Sequence, residues 1–223
     1  MDERTSSTAR RAGGERGAAA AAGRVLSRGR FLALLAGSAV AGWAAVKALG
    51  SLTGGWRINT VEQPRPQFDA NAYRLTIDGL VEQPLTLSYG ELLALPAVRQ
   101  VSDFHCVEGW GVDDVQWDGV SLQTITDLVR PSPEAGFVTF HSLGEIYRDS
   151  LTLEQALLPD VLVAYRMDGA ELPSDHGPPA RLIMPRMYGY KGPKWLTRIE
   201  FRDRRDIGYW EERGWRVDAW IEA

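Results

Sequence analysis

The stretch SDFHCVEGWG, residues 102–111, holds the only cysteine of the chain, Cys106, directly after His105 and two residues before Glu108. A cysteine sulfur can be a nucleophile, a soft metal ligand or half of a disulfide, and a lone cysteine has no disulfide partner within its own chain. A CxxC redox pair is equally excluded. On residue type and spacing three readings stay open. A single cysteine is often a small buried hydrophobe. A thiolate nucleophile would need a histidine base, and because neighbours on a strand face opposite ways that base would be His141 or His176 rather than the adjacent His105. A zinc site built from Cys106 and the three histidines is the weakest reading, since no pair has ligand spacing such as HxxxH.

A second stretch, RLIMPRMYGYKGPKWLTRIEF at 181–201, carries five basic residues and no acid from Arg181 to Arg198, in a chain whose net charge is −4. That contrast suggests an anion pocket. Gly189 and Gly192 permit close backbone approach, Pro193 stiffens the loop, and Lys191 and Lys194 supply positive charge, as a phosphate site needs. The alternative is a solvated basic hairpin, which the interleaved Tyr188, Tyr190 and Trp195 make less natural.

The elements that would hold these residues are mostly strands. YRLTIDGL alternates β-branched and aromatic residues with polar ones up to Asp78–Gly79, and WDGV and MDGA repeat the Asp-Gly device at 118 and 168, so a turn is expected at each. Ser88 to Glu91 and Thr152 to Gln155 have capping-box spacing before leucine-rich runs, and Ser121 can cap LQTITDLV. The mix is α+β, mainly antiparallel, without internal repeats, coiled coil or GxGxxG.

With 223 residues, 44% of them hydrophobic, the chain suits one globular domain with an appendage. The first 30 residues hold seven Arg against Asp2, Glu3 and Glu15, leaving the remainder near −8, which argues against a nucleic-acid partner. Residues 1–24, rich in Ala, Gly and Arg, are expected to be disordered. Residues 25–52 follow a basic flank with sixteen uncharged residues from Phe31 to Val46, short for a spanning helix, and read as an export signal or membrane anchor. SRGRFL at 27–32 resembles a twin-arginine signal in which Gly29 stands where the second arginine would be. The folded domain is expected over 56–223.

Five pieces in order, HCVEGW, WDGVSL, FHSLGE, LPSDHGPPARL and YGYKGPKW, resemble the sulfite oxidase superfamily of molybdopterin enzymes, from about Tyr73 to Phe201. The resemblance is closest to the exported bacterial branch that includes the periplasmic methionine sulfoxide reductase catalytic subunit. It implies the sulfite-oxidase-type molybdopterin-binding α+β fold, with mixed, mainly antiparallel sheets and a few short helices. It also implies a molybdenum–molybdopterin cofactor with Cys106 as sulfur ligand to the metal and Glu108 as an acid beside it. Ser142 and His176 fall where the family touches the pterin, where the sulfoxide reductase has threonine and asparagine. Arg181, Gly192, Pro193 and Lys194 match its grip on pterin and phosphate, and Arg57 or Asn59 is expected to add a contact. Tyr188 joins Cys106 and Glu108 as a catalytic candidate, and His105 and Lys191 join the cofactor-binding candidates. The immunoglobulin-like dimerisation domain of sulfite oxidases and any haem domain are expected to be absent.

The implied reaction is two-electron oxygen-atom transfer, with reduction of a sulfoxide or similar S/N-oxide expected ahead of sulfite oxidation or a non-catalytic binding role. With one cysteine and no CxxCH, electrons are expected from a separate membrane haem or quinone-linked protein docking near Tyr188 to Lys194. The place of action expected is the periplasm or the extracytoplasmic face of the membrane, with the N-terminal segment as signal or anchor.

Overall fold

Alternation of apolar and polar residues sets the strands, and the strands set two sheets. The computed structural model describes residues 55–221, so the expected basic N-terminus and the export or anchor segment lie outside the described residues. Among the described residues no helix is long and apolar enough to cross a membrane. The first sheet runs in the order β2 (Leu85–Ser88), β1 (Arg74–Gly79), β10 (Leu196–Arg202), β5 (Phe137–Ser142), β6 (Arg148–Thr152). Its β1–β10 pair is parallel and its other pairs are antiparallel. Leu75 and Ile77 of β1, Ile199 and Phe201 of β10 and Val138 and Phe140 of β5 face the core, as a period of two requires.

The second sheet is antiparallel: β3 (Val98–His105), β4 (Gly111–Ser121), β7 (Leu162–Met167) and β8 (Ala170–Glu171) in order, with β9 (Arg181–Ile183) also on β7. β7 is buried on both faces apart from Arg166, and its residues divide between two cores. Val163 and Tyr165 join the large cluster shared with the first sheet, whereas Leu162 and Ala164 join a smaller one with Val115, Trp117 and Ile183. β9 is thereby fixed on a rigid strand, and with it Arg181.

Among the described residues there are three short α-helices: α1 (Tyr89–Ala94), α2 (Leu122–Val129) and α3 (Leu153–Ala156). Reciprocal capping boxes open α1 at Ser88–Glu91 and α3 at Thr152–Gln155, and the Thr124 amide donates to Ser121 Oγ at the start of α2. The three Asp-Gly pairs behave differently. Asp168–Gly169 forms the two-residue hairpin from β7 to β8, both residues with positive φ. Asp78–Gly79 ends β1 without a two-residue hairpin, the chain returning to antiparallel β2 through the longer connection at 80–84. The turn expected at Asp118–Gly119 is absent, because both residues lie inside β4 at a register shift against β7. A β-carbon on Gly119 would collide with the Val163 carbonyl oxygen, so this glycine serves close strand packing.

Candidate functional site

A cleft, partly open to solvent, gathers side chains from the loop after β3, the end of β5, β9 and the segments at 56–62 and 174–176. At one end, β3 stops at His105 and the chain reverses in a tight turn, with the Gly109 amide donating to the Cys106 carbonyl at 3.0 Å and the Cys106 amide to the Trp110 carbonyl at 2.8 Å. The turn puts Cys106, Val107 and Glu108 on the cleft. Cys106 Sγ lies 3.9 Å from Glu108 Oε2, which also accepts from Trp110 Nε1 at 3.3 Å. Partial burial pushes the Cys106 thiol above its ordinary range, and the Glu108 carboxylate pushes the same way. This environment favours the thiol over the thiolate, so a nucleophile is not activated here; coordination to a cation would reverse the balance.

The other end is cationic. Arg181 is 4% exposed, with Nη1 3.4 Å from the His176 carbonyl oxygen and Nε without a hydrogen-bond partner. Its guanidinium sits 5.7 Å from the centroid of Phe104 and 5.5 Å from that of Trp117, and burial brings its pKa down to about 10. Lys194 Nζ donates to the carbonyls of Asn59 (2.9 Å) and Asp175 (3.0 Å). Burial, together with the charge of Arg181, lowers Lys194 to about 7. Among the described residues neither cation is ion-paired to a carboxylate. His176 packs edge-on against Trp56 with centroids 4.6 Å apart, and burial with the two nearby cations holds it down to about 3, so its imidazole is neutral. Ser142 Oγ donates to the Lys194 carbonyl at 2.6 Å, which ties the end of β5 to this loop.

Such a donor set fits an anionic group. An unpartnered guanidinium N–H, a half-buried ammonium and a neutral imidazole line one cleft together with a soft sulfur. Glu62 adds a neutralisable acid: it is 2% exposed, neither of its oxygens has a well-formed hydrogen bond, and burial pushes it up to about 7 against the pull of Ser142, the Tyr147 backbone and Lys194.

Of the residues singled out in the sequence, the cleft brings together Cys106, Glu108, Asn59, Ser142, His176, Arg181, Gly192 and Lys194, with Arg57 beside them. Four of the catalytic and cofactor-binding candidates, His105, Tyr188, Lys191 and Pro193, lie outside its lining. His105 follows strand alternation to the opposite side, where it and Tyr188 line a smaller cavity with Asp103 and Met184. Pro193 is turned into the β9 side, its carbonyl accepting from the Leu182 amide. Lys191, read as mobile positive charge, is instead 1% exposed between Asp149 and Glu211, donating to Glu211 Oε1 at 2.5 Å and to the Ser150 carbonyl at 3.0 Å. The space that Gly189 and Gly192 leave is taken by protein: β-carbons there would meet the Phe104 ring and the Leu182 carbonyl.

Sequence reasoning missed Trp56, Glu62, Tyr147, Trp210 and Trp215, all on the cleft. The density of tryptophan in GYWEERGW was a signal for the last two; nothing local marked Glu62. Among the described residues no group of three or more His, Cys, Asp or Glu could hold a metal ion by itself. His141 is engaged with Glu200 at 3.1 Å, and no histidine is bonded to Cys106, which leaves the hydrolase and zinc readings without their geometry.

Residues 62–210 match the model of the oxidoreductase molybdopterin binding domain. The chain is 35% identical over 154 residues to the uncharacterized oxidoreductase YuiH of Bacillus subtilis (strain 168), covering 68% of this chain and 77% of that one. It is 36% identical over 149 residues to a putative protein-methionine-sulfoxide reductase subunit, YedZ1, of Azospira oryzae, and 31% identical over 160 residues to the protein-methionine-sulfoxide reductase catalytic subunit MsrP of Campylobacter jejuni. These matches cover 67% and 65% of this chain, and the chain spans about half the length of those two relatives, 56% and 54%. Among solved structures, the sulfane dehydrogenase SoxCD of Paracoccus pantotrophus shares the fold, with a TM-score of 0.59, 24% identity and coverage of 63% of this chain and 41% of that chain.

Proposed function

We propose that this chain, which belongs to the oxidoreductase molybdopterin binding domain family, reduces a sulfoxide or similar S/N-oxide by two-electron oxygen-atom transfer with a molybdenum–molybdopterin cofactor. The observation that carries the reading is the pairing, in one cleft, of a single soft sulfur with two cations, buried Arg181 and half-buried Lys194, that have no carboxylate partner among the described residues. The reductive direction draws on the relatives named as methionine sulfoxide reductase subunits.

When bound, the cofactor supplies the two-electron redox couple and the acceptor for the oxygen atom. The side chains supply everything around it. Arg181 and Lys194 would neutralise the anionic group, and the burial of Arg181 would make its contact stronger than it would be in water. The neutral His176 and Ser142 offer hydrogen bonds without adding charge. Cys106 is the sulfur ligand, held by the turn at 106–109, with Glu108 beside it. Glu62, near half protonation at neutral pH, can donate or accept along the same wall. His105, Tyr188, Lys191 and Pro193 support this cleft from outside it.

Electrons come from a separate membrane haem or quinone-linked protein, because this chain offers one cysteine and neither CxxCH nor GxGxxG. The work is done on the extracytoplasmic side of a membrane. Purified from a molybdenum-replete host, the protein is expected to contain molybdenum and pterin in equal amounts and to reduce methyl sulfoxides with reduced viologen but not with NADH alone. Sulfite oxidation without sulfoxide reduction, or turnover with NADH as sole donor, overturns the reading.

A further inference from the structure

The segment after β10 crosses back over the cleft and is held there by an unusually expensive device. Lys191, Asp149 and Glu211 form an ion triad with side chains at 1% exposure or less. Its members come from the turn before β10, from β6 and from the C-terminal segment. Glu211 Oε2 also accepts from the Gly208 amide at 2.8 Å, the Tyr209 amide donates to the Arg148 carbonyl, and Tyr209 stacks on Tyr147 at 5.6 Å. Apolar residues of similar size would pack the same space at no electrostatic cost, so a buried triad is better explained as fixing one position than as adding stability.

What it fixes is a pair of indoles. Trp210 and Trp215, flanking Glu211, stack with centroids 5.0 Å apart and 29° between planes, and the Trp215 amide donates to the Trp210 carbonyl at 3.1 Å. Tyr190 packs edge-on against Trp215 at 4.9 Å, and its hydroxyl donates to the Arg216 carbonyl. Both indoles line the cleft and both are only half-buried, so aromatic surface stays open to an incoming molecule.

We propose that residues 208–216 form a substrate-selecting strap: the Trp210–Trp215 pair is an aromatic wall that favours oxides bearing a flat apolar substituent, such as aryl sulfoxides, and the Lys191–Asp149–Glu211 triad positions that wall. The choice of an oxide as substrate rests on the function proposed above; the wall and its positioning do not. Stacking on an indole rewards an aryl group and gives little to a methyl group, so selection falls on the substituent rather than on the reacting S=O.

The test uses holoenzyme and two variants that leave most of the triad or the core intact. Trp215→Leu is expected to keep its molybdenum and pterin content while the ratio of kcat/KM for methyl phenyl sulfoxide to that for dimethyl sulfoxide falls roughly tenfold. Glu211→Gln, which keeps the shape of the side chain, is expected to speed amide exchange across 208–216 and to raise KM for methyl phenyl sulfoxide with the effect in KM rather than kcat. Equal losses on both substrates, loss of cofactor in Trp215→Leu, or unchanged exchange in Glu211→Gln overturns the proposal. If the wild-type enzyme reduces neither sulfoxide, the oxygen-transfer reading fails, and calorimetric binding of methyl phenyl sulfone decides the wall separately. Weaker binding to Trp215→Leu supports it; no binding, or equal binding to both proteins, overturns it.

Discussion

Lys191 and Lys194 stand three residues apart in YGYKGPKW, and the fold treats them in opposite ways. Lys191 is enclosed by Asp149 and Glu211, so its charge is answered within the protein. Lys194 has two backbone carbonyls and no paired carboxylate, and its pKa falls to about 7. Arg181 sits in the same position as Lys194, buried against aromatic rings with one N–H unpartnered. A buried cation matched by acids fixes how the segments around it are placed, whereas a cation withdrawn from water and left unmatched is held ready for something the chain does not contain. The difference separates support from site more cleanly than residue type or spacing does.

The contrast breaks most visibly under truncation. Lys191→Met leaves two carboxylates buried without a cation and is expected to lower unfolding free energy by about 4 kcal/mol, read by urea denaturation of cofactor-free protein. Lys194→Met should hold or raise the stability of the same cofactor-free protein, within about 1 kcal/mol, while stripping molybdopterin from protein purified out of a molybdenum-replete host. Equal stability losses in the two variants would erase the distinction.

A smaller effect sharpens it by pH. Lys194 is lowered from 10.5 to about 7 in the folded chain, so between those values the unfolded chain binds more protons and this group's contribution to stability rises as pH climbs. Below about 7 the folded protein carries the desolvated ammonium, which is the form an anion needs. Sulfate, whose charge does not change in this range, should therefore bind cofactor-free wild-type protein several-fold more weakly at pH 8 than at pH 6, measured by calorimetry. In Lys194→Met that dependence should shrink to the part contributed by Glu62, which is raised to about 7 on the same cleft and gains a negative charge over this range. The smallest expected effect lies far from either lysine: Ser88→Ala, which removes the α1 cap, should cost about 1 kcal/mol in thermal unfolding and leave cofactor content unchanged.

These local devices were also the most legible from sequence. The caps at Ser88, Ser121 and Thr152 and the hairpin at Asp168–Gly169 depend on residues within three positions of each other, and each formed as its pattern implied. Asp118–Gly119 carried the same dipeptide but answered to a distant strand, because Gly119 is required by the backbone of β7 rather than by a turn. In the site, Cys106, Glu108, Ser142, His176, Arg181 and Lys194 were visible through ordered motifs and converge on one cleft. Lys191 could not be told from Lys194, since the acids that neutralise it are 42 residues before it and 20 residues after it. Glu62 and Trp56 come from an irregular segment whose place on the cleft follows only from tertiary packing.

Molybdenum X-ray absorption on wild-type protein and on Cys106→Ser, both purified from a molybdenum-replete host, tests the assignment of the cleft most directly. Serine is close to cysteine in size, and Arg181 and Lys194 remain to hold the pterin, so the variant should fold and load. The account predicts molybdenum in both proteins, with one sulfur neighbour fewer in Cys106→Ser and no sulfoxide reduction by it. An unchanged sulfur count with activity retained, or wild-type protein that takes up no molybdenum, would contradict it.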